Sequence, residues 1–127
     1  MRTGSAAFGA LPATALASAW IMVAAAVAQD AGSERAAFSA CAACHSVDGS
    51  SGTGPSLKGV IGRTSGTAPG FRYSRAMKSA AITWDEASLD RYLANPQEVV
   101  PGNIMPFSGV ADALQRAEII AYLKTLR

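Results

Sequence analysis

The apolar residues of this 127-residue chain are concentrated at its N-terminus. The first 28 residues hold 20 apolar side chains, and the remaining 99 residues hold 43, of which only 19 are Leu, Ile, Val or Phe. That share lies at the level where a chain struggles to build a core of its own. A domain of about 100 residues also buries only a modest fraction of its surface. We therefore expect another group to fill the interior of residues 29–127.

The N-terminal segment has the features of a secretory signal peptide. Arg2 precedes a long uncharged stretch, and Ala26-Val27-Ala28 supplies small residues at the two positions that a signal peptidase recognises. We predict that residues 1–28 are removed on export and that residues 29–127 form the mature domain.

An uncleaved membrane anchor is the alternative interpretation of the same segment. Residues 4–28 are long enough to span a bilayer. Two features argue against a membrane anchor. The segment is mostly alanine and contains Pro12, and only four residues, 29–32, would separate it from the folded domain.

The rest of the chain predicts an all-α fold with three main helices and long loops. Ser33 is placed to cap the first helix, and the sequence from Thr83 to Glu86 fits an S/T-x-x-E capping box for the second. Asn95-Pro96 should end that second helix, and Asp112 should open the last one. No run of alternating apolar residues indicates a sheet.

Cys41, Cys44 and His45 form the C-x-x-C-H motif that attaches a c-type haem. On a helical turn, residues three apart share one face, so both thiols can reach the vinyl groups along one side of a porphyrin. The following imidazole can then reach the iron. This motif predicts one covalently bound haem c, with His45 as an axial ligand.

Other uses of a C-x-x-C pair fit less well. A thioredoxin-like redox motif needs a surrounding βαβ pattern, which this chain lacks. A zinc site needs about four ligands, and the chain has one histidine and two cysteines. A structural disulfide is possible in an exported protein but gives His45 no role.

The sixth iron ligand cannot be a second histidine, because His45 is the only one. Methionine is a usual partner in electron-transfer haems, since its thioether raises the potential. Met77 and Met105 are the two methionines after residue 28. Met105 is favoured because it lies in a Pro-Gly-containing loop between two helices, whereas Met77 is expected in a short helix; both remain candidates on this reasoning.

The chain resembles class I cytochromes c of the mitochondrial and bacterial c2 kind. The resemblance covers residues 38–126 and rests on an ordered series of motifs. These are Cys41-Ala42-Ala43-Cys44-His45, Gly54-Pro55, Gly62-Arg63, Ala68-Pro69-Gly70-Phe71, Ile82-Thr83-Trp84, Tyr92-Leu93-Ala94-Asn95-Pro96, Pro101-Gly102, Met105 and Ala121-Tyr122-Leu123.

The resemblance implies a role for each matched position. It makes Met105 the sixth ligand, and Pro55 the residue whose carbonyl accepts a hydrogen bond from the His45 ring. Three residues would support the buried haem propionate, and a tyrosine would donate near the methionine sulfur. These haem-supporting residues are Arg63, Tyr73 and Trp84 for the propionate, and Tyr92 for the sulfur. Phe38 and Tyr122 would pack the first helix against the last.

Three departures from the family pattern stand out. Met77 lies where mitochondrial members often have an asparagine, and Asn103 lies where a threonine is usual. The ring of lysines that surrounds the haem edge in mitochondrial members is missing. The corresponding positions hold Ala40, Gln97, Glu98, Ile104 and Ala111.

The resemblance implies a non-enzymatic, periplasmic single-electron carrier, with iron cycling between Fe(II) and Fe(III). Its partners would be membrane or periplasmic redox complexes: a bc1-type donor, with a terminal oxidase, a reaction centre or a periplasmic dehydrogenase. A net charge of +2 argues against nucleic acid, and we expect a monomer. The alternatives are a haem protein with an open sixth site, of gas-binding or peroxidase-like function, and a membrane-anchored cytochrome c.

Overall fold

Helices and long loops make up the part of the chain that the computed structural model describes, residues 31–127. Residues 31–37 are helical, and five helices follow along the chain. They are α1 (Ser39–Ala42), α2 (Arg75–Ser79), α3 (Glu86–Ala94), α4 (Pro96–Val99) and α5 (Ala113–Thr125). Within 31–127 the only β-pairing is an isolated antiparallel bridge between Thr64 and Thr83. The predicted all-α class is therefore confirmed.

Two helix starts differ from the sequence prediction. Ser33 lies among residues that are already helical, so it does not cap that segment. Helix α3 begins after Asp85 rather than at Thr83, because the Asp85 carboxylate accepts the Ser88 amide at 2.7 Å and the Ser88 hydroxyl accepts the Asp85 amide at 2.8 Å. This reciprocal pair satisfies two backbone donors that a helix start leaves without partners.

The other predicted helix boundaries are confirmed. Helix α3 ends at Ala94, just before Asn95-Pro96, and the Asn95 side chain then caps α4 by accepting the amide of Glu98. Asp112 caps α5 by accepting the amides of Leu114 and Gln115.

Packing of α3 against α4 and α5 forms the centre of the fold. The rings of Phe38 and Tyr122 lie 4.8 Å apart and join the first helical residues to α5, as the resemblance implies. Gly109 lets the loop before α5 pass close to α3, since a Cβ there would lie 2.2 Å from the Ala94 carbonyl oxygen. The buried apolar cluster comprises Phe38, Val60, Trp84, Leu89, Tyr92, Leu93, Val100, Ile119, Ile120 and Leu123.

The long segment from residue 47 to residue 74 contains no helix and is held by backbone hydrogen bonds to the residues before α3. Gly62 donates to the carbonyl of Trp84 at 2.8 Å, and Trp84 donates to the carbonyl of Arg63 at 3.0 Å. These bonds hold Trp84 in the buried apolar cluster. Within residues 31–127, no helix is long and apolar enough to cross a membrane, and the predicted signal peptide lies outside the described residues.

Candidate functional site

A cavity of about 290 Å³ lies at the centre of residues 31–127, close to the lower end of the range of about 300–1,000 Å³ that ligand pockets occupy. Every site residue singled out from the sequence lines it. These residues are Cys41, Cys44, His45, Pro55, Arg63, Tyr73, Trp84, Tyr92 and Met105. Residues more than 60 positions apart in the chain thus line the same cavity.

The thiol pair lies at the end of the first helical region. The amides of Cys44 and His45 both donate to the Cys41 carbonyl, at 3.1 and 2.9 Å, so the motif forms a tight helical turn. Both thiols are free. Cys41 is half-buried and Cys44 is exposed, and burial raises the pKa of the Cys41 thiol.

The His45 ring is fixed by the loop that follows it. Its Nδ1 lies 2.8 Å from the carbonyl oxygen of Pro55. Because a carbonyl only accepts, Nδ1 carries the proton and Nε2 keeps a free lone pair. Gly54 donates to the Cys44 carbonyl at 2.8 Å, and this bond ties the loop to the motif.

Both candidate sulfur ligands line the cavity. Met105 lies in the loop between α4 and α5, and Met77 lies in α2. The cavity therefore does not distinguish between Met77 and Met105 as the sixth iron ligand. The choice of Met105 rests on the family resemblance.

Arg63 makes contacts that the sequence did not predict. Its guanidinium donates from Nη1 to the Lys58 carbonyl at 3.0 Å and from Nη2 to the Ser56 carbonyl at 2.9 Å. Arg63 therefore stabilises the loop around Ser56 and Lys58, and its positive charge lies at the cavity wall. Burial raises the pKa of Tyr73, although a hydrogen bond with the Ala68 backbone and the Arg63 charge oppose that shift.

Two buried aromatic residues pack together at the cavity wall. The rings of Trp84 and Tyr92 lie 4.9 Å apart and are tilted by 55°. Burial raises the pKa of the Tyr92 phenol to about 12. The phenol is therefore neutral at physiological pH and can serve as a hydrogen-bond donor.

Two further cavity residues received no role from the sequence. Asn103 is buried beside Met105, and Phe107 follows it in the same loop. An asparagine after Pro-Gly is a turn signal, so Asn103 could have been identified as a structural residue of this loop. Nothing in the local pattern of Phe107 indicated that its ring would line the cavity.

The donor set of the cavity fits a haem. Two thiols three residues apart, one imidazole and a thioether are the groups that attach and ligate a c-type haem. Across residues 31–127, no group of three or more His, Cys, Asp and Glu side chains is arranged to hold a metal ion.

Comparison with known proteins decides the family. The cytochrome c family model matches residues 29–127. The chain belongs to the cytochrome c family. Membership implies a covalently bound haem c, and the relatives at about 50% identity make this chain a class I c-type cytochrome and an electron carrier between redox complexes.

Bacterial relatives match most of the domain. The chain is 50% identical over 91 residues to cytochrome c2 iso-2 of Magnetospirillum fulvum, covering 71% of this chain and 95% of the relative. It is also 50% identical over 86 residues to the cytochrome c-type cyt cy of Rhodobacter capsulatus, covering 68% of this chain and 43% of that protein.

A solved structure has the same fold. Cytochrome cH from Methylobacterium extorquens superposes with a TM-score of 0.72 at 45% identity, covering 75% of this chain and 97% of the solved chain.

Proposed function

We propose that this cytochrome is an exported carrier with one haem, attached through Cys41 and Cys44 and ligated by His45 and Met105. In this proposal residues 1–28 are removed, and the mature domain moves single electrons in the periplasm. The observation that carries the proposal is the cavity that joins both thiols, the imidazole and the Met105 thioether.

Each ligating group has a defined chemical task. The Cys41 and Cys44 thiols would hold the haem covalently through its vinyl groups, and the His45 imidazole and the Met105 sulfur would bind its iron. When bound, haem supplies a one-electron couple between Fe(II) and Fe(III). If His45 and Met105 both bind the iron, the protein would leave no open iron site for a substrate, which supports a carrier rather than an enzyme.

The surrounding residues hold the ligands and set the environment. The Pro55 carbonyl orients His45 and increases the basicity of its ligating nitrogen. The positive charge of Arg63, together with Tyr73 and Trp84, supports a buried propionate, and Tyr92 donates near the Met105 sulfur. The cavity is lined mainly by apolar side chains, such as Leu57, Leu89 and Leu93, which keep water away and favour a raised potential.

The partners follow from the proposed location. A periplasmic carrier would accept electrons from a bc1-type complex or a periplasmic dehydrogenase. It would deliver them to a terminal oxidase or a reaction centre.

Expression of the whole chain in a bacterial host that matures c-type cytochromes tests this proposal. The periplasmic fraction should contain a red protein whose intact mass equals residues 29–127 plus one haem, with or without cyclisation of Gln29. A mass that retains residues 1–28 would support the membrane anchor instead, and a colourless protein would contradict the haem.

Two cysteine variants sharpen the test. Cys41→Ser and Cys44→Ser should each leave one thioether bond, and the double variant should release its haem into acidified organic solvent. If the double variant keeps its haem under those conditions, the attachment is not through these thiols.

A further inference from the structure

We infer that Asn103 is a positioning residue that holds Met105 over the cavity. The inference rests on the proposal above that Met105 is the sixth ligand. Asn103 is 6% exposed and lies two residues before Met105, where the family usually has a threonine. Its side chain joins the Met105 loop to the short helix α4.

The Asn103 side-chain amide makes three hydrogen bonds around this loop. Its Nδ2 donates to the carbonyls of Pro96 and Val100, each at 2.9 Å. Its Oδ1 accepts the backbone amide of Met105 at 3.1 Å. Rotating the amide by 180° would lose all three bonds, so the network itself fixes its orientation.

The Asn103 backbone is held to α4 as well. Its amide donates to the Val100 carbonyl at 3.1 Å, and its carbonyl accepts from Nε2 of Gln97 at 2.8 Å. Gln97 Oε1 accepts the Gly102 amide at 3.2 Å. Gln97 thus holds the start of the loop through hydrogen bonds. Of these two residues, only Asn103 bonds to the Met105 backbone.

The residue between Asn103 and Met105 contributes little packing to this loop. Ile104, between Asn103 and Met105, is 71% exposed and so buries little of its side chain. On the far side, the Phe107 amide donates to the Met105 carbonyl at 2.9 Å. The Met105 side chain packs against the buried apolar cluster, and hydrogen bonds hold its backbone on both sides. The Asn103 side chain is the contact that ties this backbone to α4.

This arrangement is an Asx turn, in which the asparagine side chain accepts the amide two residues on. A threonine hydroxyl makes the same contact more weakly and cannot donate to two carbonyls at once. Asn103 should therefore hold the loop more firmly than threonine, and it should slow the loop opening that frees Met105 from iron.

The test measures loop opening in the ferric holoprotein with imidazole as the probe. Imidazole binds iron only after Met105 leaves, so its binding rate at saturating concentration reports opening. Asn103→Leu, which keeps the branched shape of the side chain but removes its hydrogen bonds, should raise that rate on the order of tenfold, the effect of losing the one buried bond that holds the Met105 amide. Asn103→Thr should give an intermediate rate. Gln97→Leu, which removes two loop contacts but leaves the Asn103–Met105 bond, should have a smaller effect than either.

Amide hydrogen exchange gives a second readout that is independent of ligand binding. Exchange of the Met105 amide should accelerate in Asn103→Leu and remain near the wild-type rate in Gln97→Leu. If both variants change the imidazole rate and the Met105 exchange equally, Asn103 is only a structural residue and the inference is wrong.

A double variant separates this inference from the proposed ligand. In a Met105→Ala background, Asn103→Leu should leave the imidazole rate nearly unchanged, because no sulfur has to leave. Retention of the low-spin spectrum by Met105→Ala would overturn the ligand assignment itself. An open site in Met105→Ala combined with wild-type imidazole binding in Asn103→Leu would overturn only the positioning role.

Discussion

Nδ1 of His45 lies 2.8 Å from the carbonyl oxygen of Pro55, and the glycine between this carbonyl and the motif leaves room for the ring. A Cβ on Gly54 would lie 2.7 Å from Cε1 and 2.8 Å from Nδ1 of the imidazole. The Gly54 amide is also bonded to the Cys44 carbonyl, so neither the loop nor the ring can move away without losing a hydrogen bond.

Gly54→Ala should therefore destabilise the holoprotein. We expect a loss of about 1–3 kcal/mol, the usual effect of overpacking, with a lower yield of attached haem. Gly52→Ala is the matched control, because a Cβ there meets no atom within 4 Å. Thermal unfolding of both variants checks the prediction, and equal melting temperatures would show that the ring is not confined by Gly54.

Two ion pairs join α3 to α5 and should differ in strength. Arg116 is 12% exposed in its side chain, lies 2.7 Å from Asp90 and also donates to the carbonyls of Val110 and Ala111 at 2.9 Å. Arg116→Met should lower the free energy of unfolding by about 2 kcal/mol, because it leaves these acceptors without their donor.

The second pair, Lys124 with Glu86, is exposed at 49% and 65%. Solvent screening weakens such pairs, so Lys124→Met should cost about 0.5 kcal/mol or less. Denaturant titration of the two variants compares them directly, and a larger loss for Lys124→Met than for Arg116→Met would contradict this account of the α3–α5 contact.

Tyr92 should make stability depend on alkaline pH. Burial raises the pKa of its phenol to about 12 in the folded protein, while the unfolded chain ionises near pH 10. Between these values the unfolded state loses the proton first, so stability that is present below pH 10 is lost as the pH rises towards 12. Tyr92→Phe should show a shallower loss over that interval in denaturant titrations. Parallel curves for the two proteins would rule out this role of the phenol.

Regular elements and motif chemistry could be predicted from the sequence because their causes are local. Asn95-Pro96 ends α3 and Asp112 opens α5, as predicted, since a proline or a capping carboxylate acts within one helical turn. The C-x-x-C-H spacing identified the haem for the same reason.

Two features were not predicted, for different reasons. The cap of α3 is Asp85 because Ser88 completes a reciprocal pair with it. This pair competes with the Thr83–Glu86 box within the same few residues, and the local pattern does not decide between them. The contacts of Arg63 with two backbone carbonyls depend on how the loop folds back, which no local pattern specifies.

Partner docking should depend little on charge. All five positions that replace the lysine ring are exposed, and Glu98 is the one charged side chain among them. The others are Ala40, Gln97, Ile104 and Ala111. Electrostatic steering needs charge near the point of contact. Oxidation of the reduced protein by hexacyanoferrate(III), a trivalent anion, should therefore change little between low salt and about 0.2 M, where the Debye length is about 7 Å.

An engineered charge provides the control for this measurement. Ile104→Lys adds a positive side chain at an exposed position and should make the same stopped-flow rate faster at low salt and clearly salt-dependent. A steep fall for the wild-type protein would show that other charges of the chain do reach this surface.

The optical spectrum of the ferric protein in two methionine variants tests most directly which sulfur binds the iron. Both sulfurs line the same cavity, so the comparison decides between them. Met77→Leu should keep a low-spin spectrum with its sulfur-to-iron charge-transfer absorption. Met105→Ala should lose that absorption, bind added imidazole or cyanide rapidly, and show a lower reduction potential. A Met105→Ala protein that keeps the absorption, with a Met77→Leu protein that loses it, would contradict the assignment of Met105 as the ligand.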